Sequence, residues 1–585
     1  MAQGWLQIAV FLAVVLALTK PLGVYMAGVY RNERVFLTPV LGGLERLTYR
    51  VLRVEPNREQ DWKSYGITLV VFSGLFWIAL FAILRTQGIH PFNPQGFDSG
   101  TWDVSFNTAS SFVTNTNWQY YGGETTLSNF SQMAGLTVQN FVSAAVGMAV
   151  AAAFIRGIIS RGGTSLGNFW QDLVRGSYYV LLPLAVVVGI LLVAGGVVQT
   201  LADPAAAKTL QGADQILAVG PVASQVSIKQ LGTNGGGFFN VNSAMPFENA
   251  TQFTNFIELL CIILIPAALT YTYGRMVGRQ RQGWAIFAAM ATLYVVFILV
   301  IFPAEQHGTA AQHNAGLHTE HVDGSTGGNL EGKEVRNGVA ESALWATTTT
   351  NTSNGSVNSA MESYTPLGGA VPMFGLAASE VIFGGVGTGL YSMLLFVLLA
   401  VFIGGLMVGR TPEYLGKKVE AREIKLASLG VLFTPLAVLV AAALAVATKY
   451  GKASIFAKDS PQGFSESLYA YLSQGNNNGS AFAGYTGYVQ PNAPGNKGAF
   501  GITFADLLGG VTMVAGRFIP ILLVLAVAGS LAGKRIAPEG AGTMRTDNPT
   551  FVVLLIGVVV LIGALTFFPA LLLGPIVQSL TTRLF

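Results

Sequence analysis

Apolar runs of about twenty residues or more recur along the chain, near 3–29, 65–85, 133–158, 177–200, 253–277, 283–303, 372–408, 426–448, 505–532 and 550–573. About 20 apolar residues carry an α-helix across the hydrocarbon core of a bilayer. The pattern therefore predicts an all-α polytopic membrane protein with about ten transmembrane helices. The first run holds Lys20 and Pro21, lacks a basic leader and is long enough to span, so it reads as a retained helix. The run at 372–408 is too long for one straight span. Its Gly384, Gly385, Gly387 and Gly389 predict a break or kink.

The connections between the runs differ in charge and length. Those of one parity carry 21 Lys and Arg, and those of the other parity carry 10. The first set is expected on the cytoplasmic side, which puts both termini outside. The long polar connections, 86–132, 201–252, 304–371 and 449–504, all fall on the outer side. Composition agrees with this class: 51% of the 585 residues are hydrophobic and 11% charged, against about 25% charged in soluble domains. A net charge of +4 spread among loops gives a nucleic-acid role little support. The single cysteine, Cys261, excludes an intrachain disulfide framework and a Cys-rich metal site.

Each outer connection contains a Gly/Asn/Thr cluster: Thr114-Asn115-Thr116-Asn117, Thr233-Asn234-Gly235-Gly236, Thr350-Asn351-Thr352-Ser353-Asn354-Gly355 and Asn476-Asn477-Asn478-Gly479. Their starts lie 119, 117 and 126 residues apart, and near-constant spacing signals an internal repeat. Before each cluster lies a mildly apolar stretch of half-membrane length, at 104–113, 221–231, 339–349 and 464–473. After each comes a span with a basic inner end. The unit is an outgoing helix, a short pore helix, a polar loop and a return helix. Four units occupy 64–160, 170–280, 281–410 and 424–534. The helices within 1–30 and 549–585 are extra, one at each end.

Four such loops in one chain can converge on a pseudo-fourfold axis. Each short helix then directs its carbonyl end toward the centre, which favours a cation. Gly and Asn permit the backbone angles that turn carbonyls inward. Backbone this irregular is tolerated in a membrane where it is buried in protein or lines a watery cavity. Neutral oxygens without carboxylates favour a weakly hydrated monovalent ion over Ca²⁺ or Mg²⁺. K⁺ fits better than Na⁺, by analogy with carbonyl filters.

The stretches 114–121, 232–250, Gly409-Arg410-Thr411-Pro412-Glu413-Tyr414-Leu415-Gly416-Lys417-Lys418 and 476–482 resemble the KdpA family, the potassium-binding and translocating subunit of the bacterial Kdp potassium-transporting ATPase. The resemblance covers nearly the whole chain. It implies the fold of the superfamily of K⁺ transporters, location in the bacterial inner membrane and a complex with KdpB, a P-type ATPase subunit, together with KdpC and KdpF. It carries filter roles over to Asn115, Thr116 and Asn117, to Thr233, Asn234 and Gly235, and to Asn477, Asn478 and Gly479. Gln119 matches a position beyond the first filter loop that the family links to ion affinity. The third loop admits more than one register, and Thr352, Ser353, Asn354 and Gly355 are assigned in it. K⁺ is the transported ion. No nucleotide is expected on this chain, which has no Asp-Lys-Thr-Gly phosphorylation motif. Its nearest Walker A pattern, Gly327 to Gly332-Lys333, has Glu334 where Ser or Thr should hold Mg²⁺. A stand-alone K⁺ channel or ion-coupled symporter is the nearest alternative. A membrane enzyme is a more distant one, because Glu258, Glu380 and Asp506 sit on separate return helices.

Other charged features stand beside the repeat. Arg410, Lys417 and Lys418 in the inner segment 410–425 are candidates for an inner gate or partner contact, against the plain reading of a solvated positive-inside loop. Arg517 interrupts the last return helix, where it either repels cations, pairs with a partner or caps helix-end carbonyls. His307, His313, His318 and His321, with Glu305, Glu320 and Asp323, crowd one outer loop. Their spacing matches no tight metal-ligand pattern and reads as a hydrophilic loop.

Overall fold

The computed structural model describes residues 1–322, 327–457, 459–487, 504–538 and 543–580. Among them ten helices are long and apolar enough to cross a membrane. The chain opens with span α1 (Ala2–Tyr30) and a short helix α2 (Thr38–Leu52) on the basic face. Four units follow. The first is α3 (Trp62–Arg85), α4 (Trp102–Val113) and α5 (Ser131–Ile159); the second is α6 (Phe169–Ala194), α7 (Val222–Leu231) and α8 (Gln252–Met276). The third is α9 (Gln280–His307), α10 (Gly338–Asn351) and a return in two pieces, α11 (Pro366–Ala377) and α12 (Thr388–Val408). The fourth is α13 (Ala421–Ala447), α14 (Pro461–Gly475) and α15 (Phe504–Ala532), and span α16 (Pro549–Ser579) closes the chain. Against the predicted bounds, α4 starts two residues earlier and α7 one residue later, while α10 and α14 are longer at both ends by one to three residues, with polar last turns.

The return helices form the inner layer. The central window of α5 is 83% buried against 28% for α3, and that of α8 is 72% against 33% for α6. Composition explains the difference. α5 carries Ala144, Ala145, Gly147, Ala149, Ala151, Ala152 and Ala153, all buried, and small side chains let helix backbones approach closely inside a membrane. α3 instead exposes Ile67, Val71, Leu75 and Ile78, as a lipid-facing helix should.

The long seventh run is broken. Residues 378–387 leave the helix between α11 and α12, with Ser379, Glu380 and Phe383 left-handed and Gly387 at φ 91°. A Cβ at Gly387 would run into the carbonyl of Gly147 on α5, so close packing as well as chain direction requires glycine there. The glycine-rich stretch is thus an intramembrane break.

Among the described residues there are also two small hairpins. The first, β1 (Ala205–Lys208) with β2 (Asp214–Leu217), lies in the connection between α6 and α7, and the second, β3 (Glu413–Tyr414) with β4 (Lys417–Lys418), follows α12. The second hairpin corrects one expectation. Arg410 and Lys418 are exposed, but Lys417 is buried. Its Nζ donates to the carbonyls of Gly157 (3.0 Å) and Leu531 (2.6 Å), in the last turns of α5 and α15. It ties helix ends together and offers nothing to a partner surface.

Burial, assisted by the Lys534 charge, lowers the Lys417 ammonium from its ordinary 10.5 to about 8. Between pH 8 and 10.5 the unfolded chain then holds a proton that the folded chain lacks, so stability rises with pH through that window. Lys417→Met is expected to remove this increment, measured as the difference in thermal unfolding midpoint between the two proteins from pH 7.5 to 10. Parallel curves would contradict it.

Candidate ion-binding site

The four short helices end alike. Thr114, Gly232, Thr352 and Asn476 are their C-caps, with φ of −86°, −80°, −89° and −89° and ψ near zero. The next residue in each loop, Asn115, Thr233, Ser353 and Asn477, is left-handed, at φ 71°, 49°, 53° and 57°. The third residue then bonds back to the helix. The amides of Thr116, Asn234, Asn354 and Asn478 donate to the carbonyls of Ser111, Lys229, Thr349 and Ser473 at 2.8–2.9 Å. This is the Schellman closure of a helix end, built four times without glycine at the left-handed position.

The structural register differs from the one read off the clusters. The equivalent positions begin at 114, 232, 352 and 476, so the second cluster starts one residue earlier and the third two residues later. Thr350 and Asn351 belong to the last turn of α10. The residues assigned to the four loops, 115–117, 233–235, 352–355 and 477–479, all fall within the aligned quartets.

A left-handed residue other than glycine costs about 1–2 kcal/mol, and the same side chains supply compensating bonds between loops. Asn115 Nδ2 donates to the Thr233 carbonyl (2.8 Å). Ser353 Oγ lies 3.0 Å from the carbonyls of both Asn476 and Asn477, where the third loop meets the fourth. Asn477 Nδ2 donates to Thr116 Oγ1 (2.9 Å). Asn234 Nδ2 reaches Asn115 Oδ1 at 2.5 Å. Beyond the first loop, the Gln119 amide clasps both backbone groups of Gly237, accepting from its N–H (2.9 Å) and donating to its carbonyl (3.3 Å).

The third-position carbonyls converge. A Cβ placed on Gly235 would lie 2.5 Å from the carbonyl oxygen of Asn478, 2.7 Å from that of Thr116 and 2.9 Å from that of Asn354. One added carbon on the second loop would thus touch a carbonyl from each of the other three. No carboxylate belongs to the quartets. The arrangement offers fixed neutral oxygens, with four helix carbonyl ends aimed at one place.

The ring has two open sides. One is a vestibule of about 520 Å³ lined by the fourth loop positions, Asn117, Gly235, Gly355 and Gly479, and by Gln119. The other is a cavity lined by Asn476, Asn477, Glu380 and Arg517. The break 378–387 lies against this second side. The Val386 amide donates to Thr233 Oγ1 (2.9 Å), and Glu380 accepts from Ser353 Oγ (2.5 Å). Arg517 donates to Thr388 Oγ1 at 2.6 Å, at the start of α12; its bond goes to a side chain and not to a helix-end carbonyl.

Three other sequence features resolve differently from one another. Lys333, the lysine of the Walker-like stretch, is buried against Glu305 (2.8 Å) and over the Tyr364 ring (3.9 Å). In the His-rich loop, no group of three or more ligand side chains comes together among the described residues, and Asp323 lies outside them. Glu258 accepts from Gln230 (2.8 Å) and Ser243 (2.7 Å) behind the second loop. Asp506, on the return helix of the fourth unit, meets the first unit instead, its backbone carbonyl accepting from Asn107 of α4 (2.8 Å). Glu258, Glu380 and Asp506 therefore do not form one acidic site.

A chain with four membrane–pore–membrane units around one ring of carbonyls has the architecture of a potassium transporter of the four-repeat class. Its fold matches the potassium transporter TrkH from Vibrio parahaemolyticus, with a TM-score of 0.50 over 89% of this chain and 96% of that one, at 14% identity. The chain belongs to the KdpA family, potassium-transporting ATPase A subunit, whose pattern matches residues 9–580. It is 52% identical to the potassium-transporting ATPase potassium-binding subunit of Sorangium cellulosum (strain So ce56), over 99% of both chains. It is also 52% identical to the subunit of that name from Granulibacter bethesdensis, over 99% of this chain and 98% of that one. It is a multi-pass membrane subunit for potassium transport.

Proposed function

We propose that the four loops are the K⁺ filter of an ATP-driven uptake complex in a bacterial inner membrane, with both termini of this chain outside. K⁺ enters the vestibule and exchanges its water for the carbonyls and hydroxyls of Asn115, Thr116 and Asn117, Thr233, Asn234 and Gly235, Thr352, Ser353, Asn354 and Gly355, and Asn477, Asn478 and Gly479. It then passes to the cavity beside Glu380 and Arg517. There the break 378–387 obstructs the straight route inward, and the ion moves on only with the ATPase partner, KdpB. KdpC and KdpF complete the complex. Arg410 and Lys418, exposed on the inner face, are available to meet a partner, and this chain binds no nucleotide.

The observation that carries this reading is the convergence of the Thr116, Asn354 and Asn478 carbonyls on Gly235. Reconstitution tests it. The purified chain alone in liposomes should pass no steady K⁺ current under a K⁺ gradient, whereas the copurified complex should accumulate K⁺ with ATP. Steady flux through the isolated chain would identify a channel or symporter and overturn the proposal.

A further inference from the structure

The four pore helices present equivalent residues behind the filter, at 111, 229, 349 and 473. Three are hydroxyl residues, and each hydroxyl holds the last residue of its loop or the residue that follows it. Thr349 Oγ1 accepts from the Gly355 amide (2.8 Å), Ser473 Oγ accepts from the Gly479 amide (2.9 Å), and Ser111 Oγ donates to the Trp118 carbonyl (2.9 Å). The second helix has Lys229. Its ammonium is fully buried and pairs with the equally buried Glu248 at 2.5 Å. The other oxygen of Glu248 accepts from the Phe239 amide at 2.8 Å, and the same carboxylate stands against Gly237. Glu248 thus holds the chain beyond the second loop, as the hydroxyls hold the ends of the others. It does so through an ion pair with the pore helix.

We propose that Lys229 and Glu248 form a positioning unit that sets the K⁺ affinity of the second loop and breaks the fourfold symmetry of the filter. This rests on the filter reading above. The pair is neutral as a whole, so the filter sees no net charge. A change that removes only the carboxylate leaves a buried cation directly behind a cation site. That charge opposes K⁺ electrostatically and is itself costly without its partner.

Glu248→Gln keeps an acceptor for the Phe239 amide while removing the negative charge. In the copurified complex it should raise the K⁺ concentration for half-maximal ATPase activity at least tenfold, with the maximal rate within twofold of wild type. The double variant Lys229→Met/Glu248→Gln removes both charges together. It should return half-saturation to within threefold of wild type, although it alters more of the packing. A merely structural role predicts the reverse order, with the double variant the more damaged. If Glu248→Gln fails to assemble, Lys229→Thr/Glu248→Gln, which supplies the hydroxyl of the third helix and leaves no unpaired charge, decides by the same threefold criterion. Unchanged K⁺ half-saturation in Glu248→Gln, or a loss of rate without loss of affinity, would overturn the proposal. Wild-type affinity in a Gly235 variant would instead overturn the filter reading itself, so the two failures are distinguishable.

Discussion

Gly235→Asp is expected to abolish high-affinity K⁺ use, with half-saturation rising about a hundredfold or more, which corresponds to about 3 kcal/mol. Two effects combine. Any Cβ at this position would sit 2.5–2.9 Å from three carbonyl oxygens, and overpacking of that kind costs about 1–3 kcal/mol. The carboxylate then adds charged oxygens to a ring of neutral ones, which shifts preference toward more strongly hydrated cations. The two effects separate by experiment. Gly235→Ala should weaken activation by K⁺ and Rb⁺ in proportion, whereas Gly235→Asp should also narrow the ratio of K⁺ to Na⁺ activation. Both are read from cation-dependent ATPase activity of the purified complex. Wild-type K⁺ half-saturation in the Asp variant would remove Gly235 from the filter.

The second large effect falls on stability. Glu305, in the last turn of α9, is fully buried and uses both oxygens twice. Oε1 accepts from the amide and the hydroxyl of Thr365 (both 2.7 Å), and Oε2 accepts from Lys333 (2.8 Å) and Asn329 (2.9 Å). It joins the C-terminal end of α9 to the chain before α10 and to the N-cap of α11. Burial lowers the Lys333 ammonium from its ordinary value, and the Glu305 carboxylate opposes that shift. Glu305→Ala strands the lysine and three further donors, and breaking a buried pair in this way costs about 3–5 kcal/mol. The expected result is a markedly lower thermal unfolding midpoint, with K⁺ half-saturation of the surviving protein unchanged. Glu305→Gln/Lys333→Met should regain much of the loss. A Glu305→Ala protein as stable as wild type would show that the network contributes nothing.

The spans were legible because burial in lipid demands long apolar runs, and the glycines at 384–389 marked the break because they interrupt one. Loop chemistry was legible as composition, but its register was not. Thr233 resembles Thr114, yet it is the structural partner of Asn115, since Gly232 provides the helix cap. What aligns the loops is the left-handed residue after the cap, and Asn, Thr, Ser and Asn share no obvious signature for it. Lys229 with Glu248, and Glu305 with Lys333, are separated by 19 and 28 residues of irregular chain. No periodicity announces such pairs. Lys417 misled for the opposite reason: a lysine in a basic loop reads as solvated, and only the hairpin's seat between α5 and α15 buries it.

A pore assembled from four identical subunits receives every mutation fourfold, so each change to its ring is drastic. Here the ring is one polypeptide with four different quadrants. Asn, Thr, Ser and Asn occupy the left-handed corner, and one quadrant leans on an ion pair where the others lean on hydroxyls. A single substitution therefore enters the ring once, although at Gly235 it presses on carbonyls of all three other loops. Such a ring can change one loop while the others keep their own side chains, which identical subunits cannot do.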